Sequence, residues 1–294
     1  MSFPAIGIVG GSGLYELEGL TQAREQRLET PFGAPSDAYV VGELDGRRAV
    51  FLPRHGRGHR LLPGEINYRA NVHGFKQLGV RWLISVSAVG SMREAIAPGE
   101  MVIIDQFIDR THGRVGSFFG GGVAGHVSFA DPICGELAAV LAKAAEQCGA
   151  VVHRGGTYLC IEGPQFSTRA ESRLYRQWGV DVIGMTNLPE ARLAREAGLC
   201  YATLAMATDY DCWYQGHGDV SLEAVLAVLA RNVGLARRIL AATIRGVELG
   251  STCPHAAAGR QAVATAPAAL DPRARARLDL ILDGDGLDSA GDAV

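Results

Sequence analysis

Three apolar residues, Ala205, Met206 and Ala207, run into Thr208-Asp209-Tyr210-Asp211-Cys212-Trp213, which sets two carboxylates two positions apart beside aromatic side chains. A purine offers an acceptor at N7 and, when it is adenine, an amino donor at C6. An ionised carboxylate accepts from the amino group, but a hydrogen bond to N7 needs a proton on the protein or on the ring. Two acids held close in a desolvated site supply one, because repulsion and desolvation raise one of their pKa values. The same pair also fits an acidic turn that caps a helix and faces water.

Three other stretches have the composition of an anion site. Gly10-Gly11-Ser12-Gly13 lets backbone N–H groups approach a bound anion and adds a hydroxyl. It lacks the third glycine of a dinucleotide fingerprint and the Gly-Lys end of a P-loop, so a tight strand-to-helix turn is the alternative. Pro53-Arg54-His55-Gly56-Arg57-Gly58-His59-Arg60 offers a planar guanidinium fork suited to phosphate oxygens, with an imidazole beside it, or else a solvated basic loop. Ser87-Ala88-Val89-Gly90-Ser91 is a third small, hydroxyl-bearing turn. No residue set is read as a metal site. Phe166 in Glu162-Gly163-Pro164-Gln165-Phe166-Ser167, and Met185 in Gly184-Met185-Thr186, could sandwich a flat ring, though core packing serves both equally well.

These residues need elements to position them. Short Val- and Ile-rich runs at 5–9, 49–52, 82–86, 101–104, 180–185 and 201–207 read as buried strands. A helical pattern spans 221–249, where Leu222, Val225, Leu226, Leu229, Val233, Ile239 and Leu240 keep largely to one face and Ser221 suits the N-cap. Alternating strands and helices predict an α/β fold whose ligands sit at the carboxyl ends of parallel strands. Each anion-type stretch, and the acid pair, follows such a run.

The bulk composition narrows the class. The chain has 294 residues, is 48% hydrophobic and carries a net charge of -3, enough for a large core and too little positive charge to hold a nucleic acid. The 6 cysteines show neither CxxC spacing nor the density of a disulfide scaffold, so reduced thiols in a cytoplasmic protein are expected. No basic leader and no apolar run of membrane-spanning length is visible, so no membrane partner is expected. From 251 onward the chain turns Ala-, Pro-, Arg- and Asp-rich. This divides it into a domain over 1–250 and a mobile C-terminal tail over 251–294, whose one apolar patch lies at 278–282.

Taken in order, GIVGGSGLY, ETPFGAPSDA, RHGRGH, NYRANVHGFK, PGEMVIIDQFIDRT, IEGPQFSTRAES and MATDYDCW resemble the methylthioadenosine-cleaving branch of the trimeric purine nucleoside phosphorylase family, across about residues 5 to 250. The resemblance implies a single α/β domain with a central mixed β-sheet flanked by helices. It implies phosphorolysis of 5'-methylthioadenosine to adenine and 5-methylthioribose 1-phosphate, with inorganic phosphate as co-substrate, no cofactor and no metal. By motif position Ser12, Arg54, His55, Ser87, Ala88 and Thr186 would hold phosphate. Phe166, Ser167, Asp209 and Asp211 would meet the purine, and Met185 would lie beneath the ribose. Asp209, Asp211, Arg54 and His55 would carry the chemistry, Asp209 at N7 and Asp211 on the amino-group side. His126, lent to a neighbouring subunit of a homotrimer, and Leu222, Val225 and Leu226 would line the pocket for the 5'-substituent.

The chain departs from the family at Ser12 and Ser87, where threonine is common, at Val89 in place of a cysteine, and at Gln165 in place of an arginine. Rival expectations are a 6-oxopurine nucleoside or 5'-methylthioinosine phosphorylase, in which an asparagine would stand at Asp209, and a non-catalytic purine-binding protein.

Overall fold

In a computed structural model, residues 4–11, 14, 17–214, 222–251 and 253–282 are described. The expectations placed on Ser12, on Ser221 and on the side chains of Leu222, Val225 and Leu226 lie outside the described residues.

The described chain runs β1 (Ala5–Gly10), β2 (Thr21–Gln26), β3 (Tyr39–Leu44), β4 (Arg47–Pro53), α1 (Tyr68–Gln77), β5 (Val80–Ser91), β6 (Met101–Ile103), β7 (Gln106–Arg110), α2 (Gly135–Gln147), β8 (Val152–Arg154), β9 (Thr157–Ile161), α3 (Arg169–Gln177), β10 (Val182–Gly184), α4 (Asn187–Glu196), β11 (Cys200–Asp209), α5 (Leu222–Gly246), α6 (Ala258–Gln261), α7 (Pro272–Arg277) and α8 (Asp279–Leu282). Every expected strand is present, and α5 covers most of the expected helix.

One mixed sheet joins the strands in the order β2-β3-β4-β1-β5-β10-β9-β7, with β11 pairing β5 and β6, and β8 pairing β6. The central strands β4, β1, β5 and β11 run parallel to one another. Buried on both faces, they carry the continuous apolar runs that such strands require. Their carboxyl ends, at Gly10, Pro53, Ser91 and Asp209, open on one edge of the sheet.

Strand β5 is long enough to fork. Its last residues pair with β10 as Ser91↔Val182 and Gly90↔Ile183, while Gly90 also stands opposite Asp209 of β11. The β11 register slips between Ala207 and Asp209, a bulge that re-aims the end of the strand.

Two expectations fail here. Residues 253–282 do not form a mobile tail: they fold into α6, α7 and α8, with Leu278 0% exposed and Ile281 and Leu282 also buried, α8 against α1 and α6 against α4. The few large apolar residues of this stretch are concentrated on its inward face, so a low apolar content still anchors it. The cysteines are not all reduced either. Cys200, at the start of β11, is disulfide-bonded to Cys253, and the sulfur of Cys134 lies within 4.8 Å of both. With a sequence separation of 53 between the bonded pair, no local spacing announces it. Among the described residues no helix is long and apolar enough to cross a membrane.

Candidate active site

Arg54 follows β4 directly and its backbone N–H donates to Gly10 O, locking the ends of β4 and β1 together. Its side chain turns inward and is only 2% exposed. Nε donates to Glu190 Oε2 at 2.8 Å, Nη2 to Glu190 Oε1 at 3.1 Å and Ser85 Oγ at 2.6 Å, and Nη1 to Val86 O at 3.0 Å. Although burial pulls its pKa down, the Glu190 carboxylate raises it further, so Arg54 stays charged. Of its five N–H groups, one on Nη1 has no acceptor among the described residues.

Glu190, 1% exposed, also accepts from Tyr201 Oη at 2.9 Å. Asn187 donates from Nδ2 to Tyr201 Oη and Thr203 Oγ1 and, at 3.4 Å, to Ser85 Oγ. Sequence reasoning missed this support entirely. The available signal was an acid, Glu190, on the inward side of a helix that begins immediately after a strand end.

His55 is bonded through Nδ1 to Leu61 O at 2.9 Å, and its ring stacks on His59 with 4.2 Å between centroids. A carbonyl only accepts, so Nδ1 carries the proton and Nε2 presents a bare lone pair. Burial, with the Arg54 charge adding to it, pushes the imidazole pKa down to about 4, so the ring is neutral at physiological pH.

Ser87 and Thr186 converge. Ser87 Oγ lies 3.4 Å from Thr186 Oγ1 and 3.3 Å from Tyr158 Oη, and both residues are buried. Tyr158, which the sequence did not single out, reaches in from β9 and also accepts from Thr186 N at 3.5 Å. It fits because residue 184 is glycine: a Cβ there would sit 2.0 Å from Tyr158 Oη. Ala88, next to Ser87 on β5, is half-buried.

Asp209 ends β11 beyond the bulge. Its Oδ1 accepts from Asp211 N and its Oδ2 from Thr208 Oγ1, each at 2.8 Å. Gly90 leaves room for it, since a Cβ there would meet Oδ1 at 2.9 Å. Burial raises the Asp209 pKa against the pull of these two hydrogen bonds, and the Asp211 charge contributes last. Desolvation therefore outweighs acid–acid repulsion.

Asp211, at φ 50, turns back to accept Ser167 Oγ at 2.8 and 2.9 Å and Ser172 Oγ. A capping box sets the geometry of these donors: Thr168 accepts from Glu171 N while Glu171 accepts from Thr168 N. That fixes the start of α3, with Ser167 before it and Ser172 in its first turns.

Phe166, 44% exposed, lies at the lining of a cavity of about 240 Å³ that also includes Ser167 and Gly163. Met185 packs its sulfur over Gly163, and its carbonyl accepts from Arg114 Nη1 at 2.7 Å. Arg114 also bonds Glu162 and Leu188 O, tying the 162–167 loop to the Met185-Thr186 turn. His126 stands apart: its imidazole is exposed and makes no hydrogen bond among the described residues.

The structure thus brings together Arg54, Ser87 and Thr186 through the β5 end, and Ser167, Asp209 and Asp211 through the β11 end, with Gly90 joining the two groups. Such an arrangement can hold an oxyanion beside a group able to donate a proton.

Comparisons with known proteins agree with the geometry. The model of the phosphorylase superfamily matches residues 5–245. An S-methyl-5'-thioadenosine phosphorylase of Geobacter sulfurreducens is 60% identical over 278 residues, 94% of this chain and 97% of that protein. One from Koribacter versatilis is 54% identical, covering 94% and 95%. Among solved structures, a methylthioadenosine phosphorylase from an antarctic soil metagenomic library superposes with a TM-score of 0.91 at 46% identity, covering 96% of this chain and 100% of that one. A methylthioadenosine phosphorylase from Schistosoma mansoni in complex with adenine gives 0.80 at 32% identity, covering 96% and 99%.

Proposed function

The chain belongs to the phosphorylase superfamily, and from that premise we propose that it is a pentosyltransferase that cleaves 5'-methylthioadenosine with inorganic phosphate, releasing adenine and 5-methylthioribose 1-phosphate. The observation that carries the reading is the join at Gly90, which stands opposite Asp209 of β11 and three residues along β5 from Ser87, whose buried hydroxyl meets that of Thr186.

Phosphate is the nucleophile. The free Nη1–H of Arg54, the hydroxyls of Ser87 and Thr186, the Ala88 backbone and Ser12 hold it, while the bare Nε2 of His55 accepts a hydrogen bond from a P–OH group, which keeps its proton. One phosphate oxygen forms a bond to the anomeric carbon as the bond from that carbon to N9 breaks, and the electron pair leaves with the purine. Ribosyl transfer of this kind passes through an oxocarbenium-like state, so holding the anion close and neutralising the leaving base are the two tasks.

The second task belongs to Asp209. Burial raises its pKa and so eases protonation, and the protonated carboxyl donates at N7 while each oxygen keeps its existing hydrogen bond. Asp211, anchored by Ser167 and Ser172, keeps lone pairs for the amino-group side of the ring. Phe166 covers the base and Met185 the ribose. His126 reaches a neighbouring subunit of a homotrimer, where it meets the methylthio group. The reaction as written needs no metal or organic cofactor.

Adenine release from 5'-methylthioadenosine with and without phosphate, alongside adenosine, 5'-methylthioinosine and inosine, tests the proposal. Phosphate-dependent release favouring 5'-methylthioadenosine is expected. Phosphate-independent release would mean a hydrolase, and turnover of the oxopurines alone would overturn the role of Asp209.

A further inference from the structure

The loop that carries His126 is held by a part of the chain far from it in sequence. Gly125 and Val263 form an isolated antiparallel bridge. Around it His126 N donates to Ala262 O and Ala264 N donates to Ala124 O, each at 2.9 Å, and Ala124 N donates to Thr265 Oγ1 at 2.7 Å. These contacts hold the backbone from Ala124 up to the His126 N–H, so the point from which the exposed imidazole leaves the surface is fixed by residues 262–265.

That segment is itself suspended between two anchors. Upstream, Cys253 is bonded to Cys200 at the start of β11. Downstream, Leu278, Ile281 and Leu282 are buried, with α8 against α1. A strap fixed at both ends has little freedom to give, so the loop it holds inherits the rigidity of the sheet.

We propose that residues 262–265 are a positioning strap for His126, so that discrimination at the 5' carbon of the substrate is set by the C-terminal segment of the chain. This rests on the function proposed above, in which His126 meets the 5'-substituent. Thr265 is the clearest handle: its hydroxyl oxygen takes the Ala124 N–H, and neither residue belongs to the groups proposed to touch substrate. Selectivity between a methylthio and a hydroxyl group is small in an apolar pocket, and a misplaced imidazole is enough to change it.

The test compares kcat/KM for 5'-methylthioadenosine and for adenosine in the full chain, in Thr265→Val, in Ala264→Pro, in His126→Ala and in the double variant Thr265→Val with His126→Ala. Thr265→Val keeps shape and removes only the acceptor. Its methylthio-over-hydroxyl ratio should fall roughly threefold to tenfold, as expected for one hydrogen bond. In the His126→Ala background the same change should leave the ratio where His126→Ala alone put it. Ala264→Pro, which removes a donor, should act in the same direction.

An equal fall for both substrates, or a full additional effect in the His126→Ala background, would show a merely structural segment and overturn the strap. An unchanged ratio in His126→Ala would overturn it too, by removing the residue through which it acts. Absence of phosphate-dependent adenine release in the unaltered protein is the separate result that would overturn the underlying function, and it is read before any variant is made.

Discussion

Arg54 and His126 are held by opposite means. Arg54 lies in the middle of the sheet, with its guanidinium bonded to Glu190, Ser85 and Val86 O and one N–H left over. His126 lies on a surface loop, with its backbone bonded up to its own N–H and its imidazole exposed. At the floor of the site, side chains fix a side chain, and the charge balance of the core depends on each of them. At the rim, the backbone fixes a backbone, and the side chain can be exchanged without disturbing what holds it. Floor variants should therefore cost chemistry, folding or both, whereas rim variants should leave the turnover of adenosine in place.

The largest effect that would sharpen this contrast is at Glu190. Glu190→Gln leaves a buried guanidinium without its counter-charge, and a loss of about 3–5 kcal/mol of stability is expected in denaturant titration. A loss below about 1 kcal/mol would mean the floor is not held by this pair. At the rim, Cys253→Ser removes a crosslink across 53 residues, worth up to about 4 kcal/mol by loop-closure entropy. The variant should melt lower, match the unaltered protein under reducing conditions, and keep its turnover of adenosine. A matching loss of turnover would break the contrast.

His55 gives the floor a pH signature. Its folded pKa of about 4 lies below the ordinary 6.5, so between those values the unfolded chain binds a proton that the folded chain does not. Stability should therefore rise with pH across that window and be lost on acidification, by roughly 3 kcal/mol at most. His55→Gln should flatten that part of the stability profile. The smallest energetic change is at Asp209, although it is the most telling for chemistry. Asp209→Asn should lower turnover of 5'-methylthioadenosine by roughly 10²-fold or more, with little change in melting. Turnover close to that of the unaltered protein would remove the leaving-group role.

The floor was largely legible in the sequence. Buried parallel strands announce themselves as apolar runs, and the residues just after them, Arg54, Ser87 and Asp209, are where such sheets place their chemistry. What was illegible depends on long-range packing. Glu190 looks like any charge on a helix until α4 sets it against Arg54, and Tyr158 looks like a core aromatic until Gly184 lets its hydroxyl through. The C-terminal segment misleads for a different reason. Its Ala- and Arg-rich composition matches a mobile tail, yet buried Ala274, Leu278, Ile281 and Leu282 and one disulfide are enough to fasten it. Composition averages over a segment, whereas anchoring depends on a few points.

The tautomer of His55 has a consequence for inhibitors. With Nδ1–H committed to Leu61 O, Nε2 can only accept, so on the proposed function the anion site asks its guest for a hydrogen. Hydrogen phosphate brings one, whereas sulfate at neutral pH has none and would set a lone pair against a lone pair. The pocket should thus tell two tetrahedral dianions of nearly equal size apart by counting protons, and sulfate should compete poorly until the medium is acidic enough to protonate the ring.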